Sequence, residues 1–199
     1  MKPAIAVIDT YLIAKGKKTL ADMEAASKAP GAANEALLMR ILRENADTEY
    51  GRKYGFGEIR SIDEYRQKVP FSNYDNYEPY IRRMVQNKEK NLITAYDVIQ
   101  YAETSGSVGA QKKIPVTDRS MAVYEKYSFA RTKAMANNYY RSVHGKPVPY
   151  EKGLNMLETE TTVMEDGTPR GSVTGSVSRR FRKLFPLFLT CTDQVDITH

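Results

Sequence analysis

The 199-residue chain is 41% hydrophobic and 27% charged, the balance of an ordinary globular domain with one sizeable core and not of a disordered tract. Its 30 Lys plus Arg exceed its 24 Asp plus Glu, and the net charge of +6 suits phosphates, nucleic acid or anionic surfaces without choosing among them. A single cysteine, Cys191, excludes an internal disulfide framework, and His144 and His199 offer no metal-ligand spacing, so no metal site is expected. No window approaches the roughly 18 consecutive apolar residues of a spanning helix, and Met1 to Lys18 lacks a signal-peptide pattern. The expectation is a cytoplasmic protein without a membrane contact.

The first third reads as helices. One is predicted from about Ile8 to Ser27, ending before Pro30-Gly31, and a second after Asn34, which can cap it. Leu37, Leu38, Ile41 and Leu42 would form its buried stripe. Ser61-Ile62-Asp63-Glu64 is a capping box, which predicts a short helix to about Lys68, stopped by Pro70. A further helix starts near Asn73 to Asn76, takes Pro79 in an early turn and turns Tyr77, Ile81, Met84 and Val85 inward.

At Val98 the period changes. Val98 to Glu103, rich in β-branched and aromatic residues, predicts a strand that feeds a Gly/Ser/Thr cluster. Beyond the cluster Ile114-Pro115-Val116 is extended, and Thr117 caps a long helix to about Tyr140 with Met121, Tyr124, Tyr127, Ala130 and Ala134 inward. The last third reads as strands and loops: turn signals at Gly145-Lys146-Pro147 and Asp166 to Gly171, a strand at Leu154 to Leu157, and a short basic helix near Val177 to Leu184. The division expected is a helical region 1–95, a strand, phosphate loop and long helix over 96–144, and a strand and loop region 145–199.

The cluster reads Thr104-Ser105-Gly106-Ser107-Val108-Gly109-Ala110-Gln111-Lys112. Glycines let the backbone approach a ligand closely, hydroxyls and backbone N–H groups donate to phosphate oxygens, and a lysine adds a positive charge. It is not the P-loop of kinases and ATPases, which needs four residues between its glycines and a lysine directly after the second. From the residues alone a polar connecting loop is the readier account, since Gly/Ser/Thr clusters are common in loops.

The order Thr-Ser-Gly-Ser-x-Gly-x-x-Lys resembles the first signature of the acyl-adenylate-forming, firefly luciferase-like superfamily. Tyr54-Gly55-Phe56, Ile62-Asp63-Glu64-Tyr65, Val69-Pro70-Phe71, Tyr74-Asp75-Asn76-Tyr77, Pro79-Tyr80-Ile81 and Arg83 precede it in the order typical of one branch, the auxin-responsive-promoter family of acyl-acid amido synthetases. The match is densest over about residues 48–120. The resemblance implies an α/β (or α+β) fold, the N-terminal part of a luciferase-like adenylating domain, with a helical first half, a small sheet and the C-terminal domain absent. It also implies ATP and Mg²⁺, a carboxylic acid that attacks ATP to give an acyl-adenylate, and an amino acid whose amine then forms the amide.

In that scheme Lys112 is the catalytic cation, and Thr104, Ser105, Gly106, Ser107, Val108 and Gly109 hold the nucleotide's phosphates. Val108 stands where the signature often has a hydroxyl residue, and Gln111 where it often has a proline. Arg131 stands where some members carry an arginine that meets the acyl carboxylate; an ordinary surface arginine fits the position as well. The basic run Arg179 to Lys183 carries no nucleic-acid motif, so nucleic acid is not an expected partner. The apolar residues within 184–191 predict self-association, and these 199 residues alone are expected not to form acyl-adenylates. The alternative is a non-catalytic binding domain that keeps a degenerate phosphate loop.

Overall fold

The computed structural model describes residues 3–103, 112–127, 131–146, 148, 161–165, 167–172 and 175. Within them five helices precede the sheet: α1 (Pro3–Ser27), α2 (Pro30–Glu44), α3 (Glu49–Lys53), α4 (Ile62–Lys68) and α5 (Tyr74–Gln86). Pro30 opens α2 instead of only closing α1, because its missing N–H falls among the first-turn donors that have no intrahelical partner. Asn34 therefore lies inside the helix and does not cap it. The expected four-residue stripe also narrows: Leu42 is buried and Leu38 partly so, while Leu37 and Ile41 are 44% and 45% exposed. Adjacent residues are about 100° apart around a helix, and α2 meets the core along the narrower Leu38–Leu42 line.

Caps set the short helices. Thr48, fully buried, accepts from the Gly51 amide at 2.9 Å and donates to the Asn45 carbonyl at 2.7 Å, which starts α3. The Ser61 hydroxyl accepts from the Glu64 amide, but the Glu64 carboxylate reaches past Ser61 to the Arg60 N–H at 2.8 Å. At α5 the reciprocal cap is complete, with the Asp75 amide donating to Asn73 Oδ1 and the Asn73 amide to Asn76 Oδ1. The inward residues of α5 are as the sequence predicts, with Ile81 and Met84 buried and Tyr77 and Val85 packed beside them.

Two clusters make the core of this half. Leu42, Tyr50, Phe56, Ile59 and Val69 form one, Ile81, Met84, Leu92 and Tyr101 the other, and Tyr77 and Tyr80 touch both. Tyr50 is the hub, with ring centroids 4.7 Å from Tyr54, 5.4 Å from Tyr77, 5.8 Å from Phe56 and 5.9 Å from Tyr80. Burial, then the hydrogen bond with Tyr77, pushes its phenol above the ordinary range.

The sheet runs in the order β2-β1-β4-β3, from β1 (Val98–Glu103), β2 (Lys113–Thr117), β3 (Thr161–Val163) and β4 (Pro169–Gly171). It is mixed: β1 is antiparallel to β2 and parallel to β4, and β3 is antiparallel to β4. Helix-rich with a small sheet, this is the fold class the sequence implies. Thr117 caps α6 (Asp118–Glu125) by exchanging bonds with Ser120. α6 passes at Glu125 into a π turn over Lys126 and Tyr127, and α7 (Arg131–His144), packed on α1, covers the rest of the long helix expected to Tyr140; residues 128–130 between them lie outside the described residues. Met121 and Ala134 are buried as expected, but Tyr124 and Tyr127 stand 38% and 36% exposed.

Ala130, the strand at Leu154 to Leu157, the basic helix near Val177 and the apolar residues of 184–191 lie outside the described residues. Among those described, no helix is long and apolar enough to cross a membrane.

Candidate functional site

The β1–β2 ladder ends on the pair Glu103↔Lys113, so the segment Thr104 to Lys112 connects two antiparallel neighbours at one edge of the sheet. Thr104, Ser105, Gly106, Ser107, Val108 and Gly109 lie outside the described residues. Lys112 is the first described residue after them. It is exposed, with Nζ 5.3 Å from the centroid of the Tyr74 ring. The Tyr74 hydroxyl accepts from the Lys113 N–H at 3.0 Å and donates to the Lys113 carbonyl at 3.2 Å, which ties the downstream end of the segment to the start of α5.

The upstream end is tied to β4. Glu103 lies 3.7 Å from Arg170 Nη1, and Arg170 Nε donates to Thr162 Oγ1 at 2.6 Å. Gln100, 4% exposed, donates from Nε2 to the carbonyls of Gly171 and Ser172 at 3.3 and 3.4 Å. Because β1 and β4 are parallel, their carboxyl ends lie at this same edge, the side on which open α/β sheets bind ligands. Gln100 could have been noticed as an amide inside an otherwise apolar strand. Tyr74 stands in a quoted motif but gives no sequence signal of its contact, since Lys113 is 39 residues away.

Arg131 is the first described residue of α7 and partly buried, and among the described residues its Nε is closed off from solvent with no hydrogen-bond partner. Ala134 and Asn137 follow on the same face at 0% and 3% exposure, and Asn137 Oδ1 also lacks a partner. An uncompensated buried donor costs about 1–3 kcal/mol, so this face of α7 differs from that of a solvated arginine. Arg83, another residue of the quoted motifs, is engaged elsewhere. It forks onto Glu49 at 2.9 and 2.8 Å and holds Glu89 through Nε at 3.1 and 3.0 Å, joining α3, α5 and the chain after α5. These hydrogen bonds hold both carboxyls below their ordinary value and raise the guanidinium.

A cavity of about 270 Å³ opens at the opposite edge, by Lys88, Asn91, Asp97, Val98 and Thr168. Its charges are engaged locally, Lys90 with Asp97 at 2.7 Å and Lys88 with the Val85 carbonyl at 2.7 Å. Among the described residues no group of three or more His, Cys, Asp or Glu side chains is placed to hold a metal ion.

Comparison with known proteins gives this edge its context. A protein of Oryza sativa subsp. japonica, provisionally named indole-3-acetic acid-amido synthetase GH3.10, is 32% identical over 143 residues, covering 70% of this chain and 28% of its own length. Indole-3-acetic acid-amido synthetase GH3.8 of Oryza sativa subsp. indica is 25% identical over 167 residues, covering 67% and 28%. The solved structure of the acyl acid amido synthetase AtGH3.15 in complex with 2,4-DB superposes with a TM-score of 0.71 at 21% identity, over 89% of this chain and 32% of that one. The chain thus spans under a third of the proteins it resembles, and it shares the fold of the part of AtGH3.15 on which it superposes. The GH3 family N-terminal domain matches residues 19–197, which takes in every motif from Tyr54 to Lys112, and the chain belongs to the GH3 family.

Proposed function

We propose that the chain supplies the polyphosphate-binding part of an ATP-dependent amido synthetase, which activates a small carboxylic acid as its acyl-adenylate and passes it to the amine of an amino acid. The observation that carries this reading is the hairpin edge. β1 and β2 present the segment Thr104 to Lys112 where two parallel strands end, and Lys112 leaves it exposed over the Tyr74 ring. An ammonium at that place fits a triphosphate, whose β and γ oxygens it would meet, and Mg²⁺ arriving with the nucleotide would offset part of the same negative charge.

ATP supplies a phosphoric anhydride whose cleavage drives acyl activation. As the carboxylate attacks the α-phosphorus, negative charge moves onto the departing pyrophosphate, and a fixed cation there lowers the barrier. Arg131 is the residue we assign to the acid. Its partial burial at the start of α7, with no acceptor on Nε among the described residues, supports a role other than that of a solvated surface arginine. In an amido synthetase of full family length carrying these residues, Lys112→Ala should lower the rate of acid-dependent pyrophosphate release by about 10²–10³-fold with a smaller change in KM for ATP. Equal turnover of the variant and its parent would refute the assignment.

A further inference from the structure

Among the described residues β2 is an outer strand of the sheet, so alternate residues along it turn their N–H and C=O groups away from β1. At Lys113 both groups are taken by one atom. The Tyr74 hydroxyl accepts from the N–H and donates to the carbonyl, using its single proton and one lone pair as a third strand would. Tyr74 is itself fixed: it is the first residue of α5 behind the Asn73–Asn76 cap, and its ring packs against the cluster of Ile81, Met84, Leu92 and Tyr101. The same ring lies under the Lys112 ammonium, 5.3 Å from Nζ to centroid. One side chain of the helical core therefore holds the backbone next to Lys112 and the lysine's own head group.

We propose that Tyr74 is a positioning residue of the polyphosphate site, setting the direction in which Lys112 presents its charge at the hairpin edge. The inference rests on the phosphate-site reading above. Its logic is that a lysine has four rotatable bonds and loses much of its electrostatic value when it wanders. The hydroxyl removes backbone freedom at the adjoining residue, and the ring face gives the ammonium a preferred direction.

The test is a double-mutant cycle on the 199-residue chain, with pyrophosphate and Mg²⁺ titrated into the parent, Tyr74→Phe, Lys112→Ala and the double variant. Positioning predicts that Tyr74→Phe weakens pyrophosphate about 3- to 10-fold in the parent and has no further effect in the Lys112→Ala background. In parallel, the ¹³C-dimethyl resonance of Lys112, assigned through Lys112→Arg, should lose its ring-current shift in Tyr74→Leu and keep it in Tyr74→Phe. Unchanged affinity in Tyr74→Phe, or the same loss with and without Lys112, overturns the proposal. If the parent binds no pyrophosphate, the phosphate-site reading falls and the role of Tyr74 in it falls too. The Lys112 resonance then still decides separately whether the tyrosine holds the lysine.

Discussion

A Cβ built on Gly51 would lie 2.1 Å from the Asn45 carbonyl oxygen and 2.9 Å from both the Ala46 carbonyl and Thr48 Oγ1. Gly51 is therefore fixed by contact and not by backbone conformation, and the contact is with main chain that cannot step aside cheaply. Gly51→Ala should cost about 2–3 kcal/mol and lower Tm by roughly 5–10 °C, read by thermal unfolding. A change within about 1 °C would contradict the packing described. The sequence does not announce this glycine, because a local pattern of turn residues cannot show that the chain at Asn45 folds back onto Gly51. The phosphate reading of Thr104 to Lys112 comes from the family resemblance and not from the residues alone, and Lys112 is the one member of that segment among the described residues. Arg131 was legible as a position but not as an environment, since only the packing of α7 shows its Nε to be enclosed.

At the scale of elements, the Arg83 fork joins α5 to α3 and to the chain after α5. Hydrogen bonding from Arg83 is the largest cause holding Glu49 and Glu89 below 4.5, so the folded state binds protons less readily there than the unfolded chain does. The stabilisation is present above about pH 4.5 and is lost as pH falls through the lowered folded values. Arg83→Met should thus reduce stability at neutral pH and flatten its decline in acid, compared by urea unfolding at about pH 7 and about pH 3.5. An equally steep decline in both proteins would show that the fork does not couple folding to these carboxyls. Removing a single cap gives a smaller effect: Ser61→Ala should cost about 1 kcal/mol, visible as a lower urea midpoint at unchanged slope. Most elements were readable from their caps and periods, including β1 residue for residue. The start of α2 is misread because Pro30, taken only as the end of α1, also suits the first turn of the next helix, where its missing N–H costs no hydrogen bond.

At the scale of the molecule, two tyrosine-rich clusters hold the helical half against β1, and the hairpin edge projects from that support. Adenylation needs the triphosphate, the α-phosphorus and the carboxylate held together, and a site that grips only the phosphates supplies one of those restraints. These 199 residues by themselves should therefore bind polyphosphate without showing acid-dependent ATP–pyrophosphate exchange; exchange well above background with any of a panel of carboxylic acids would contradict this. The central claim, that the β1–β2 edge is a polyphosphate site centred on Lys112, is tested most directly by calorimetric titration of the chain with Mg²⁺-ATP, pyrophosphate and AMP. ATP and pyrophosphate should bind and compete with one another, AMP should not displace them, and Lys112→Ala should weaken both by about 10- to 100-fold, the worth of one charge-assisted hydrogen bond. Absence of pyrophosphate binding, or equal affinity in the parent and Lys112→Ala, would contradict it.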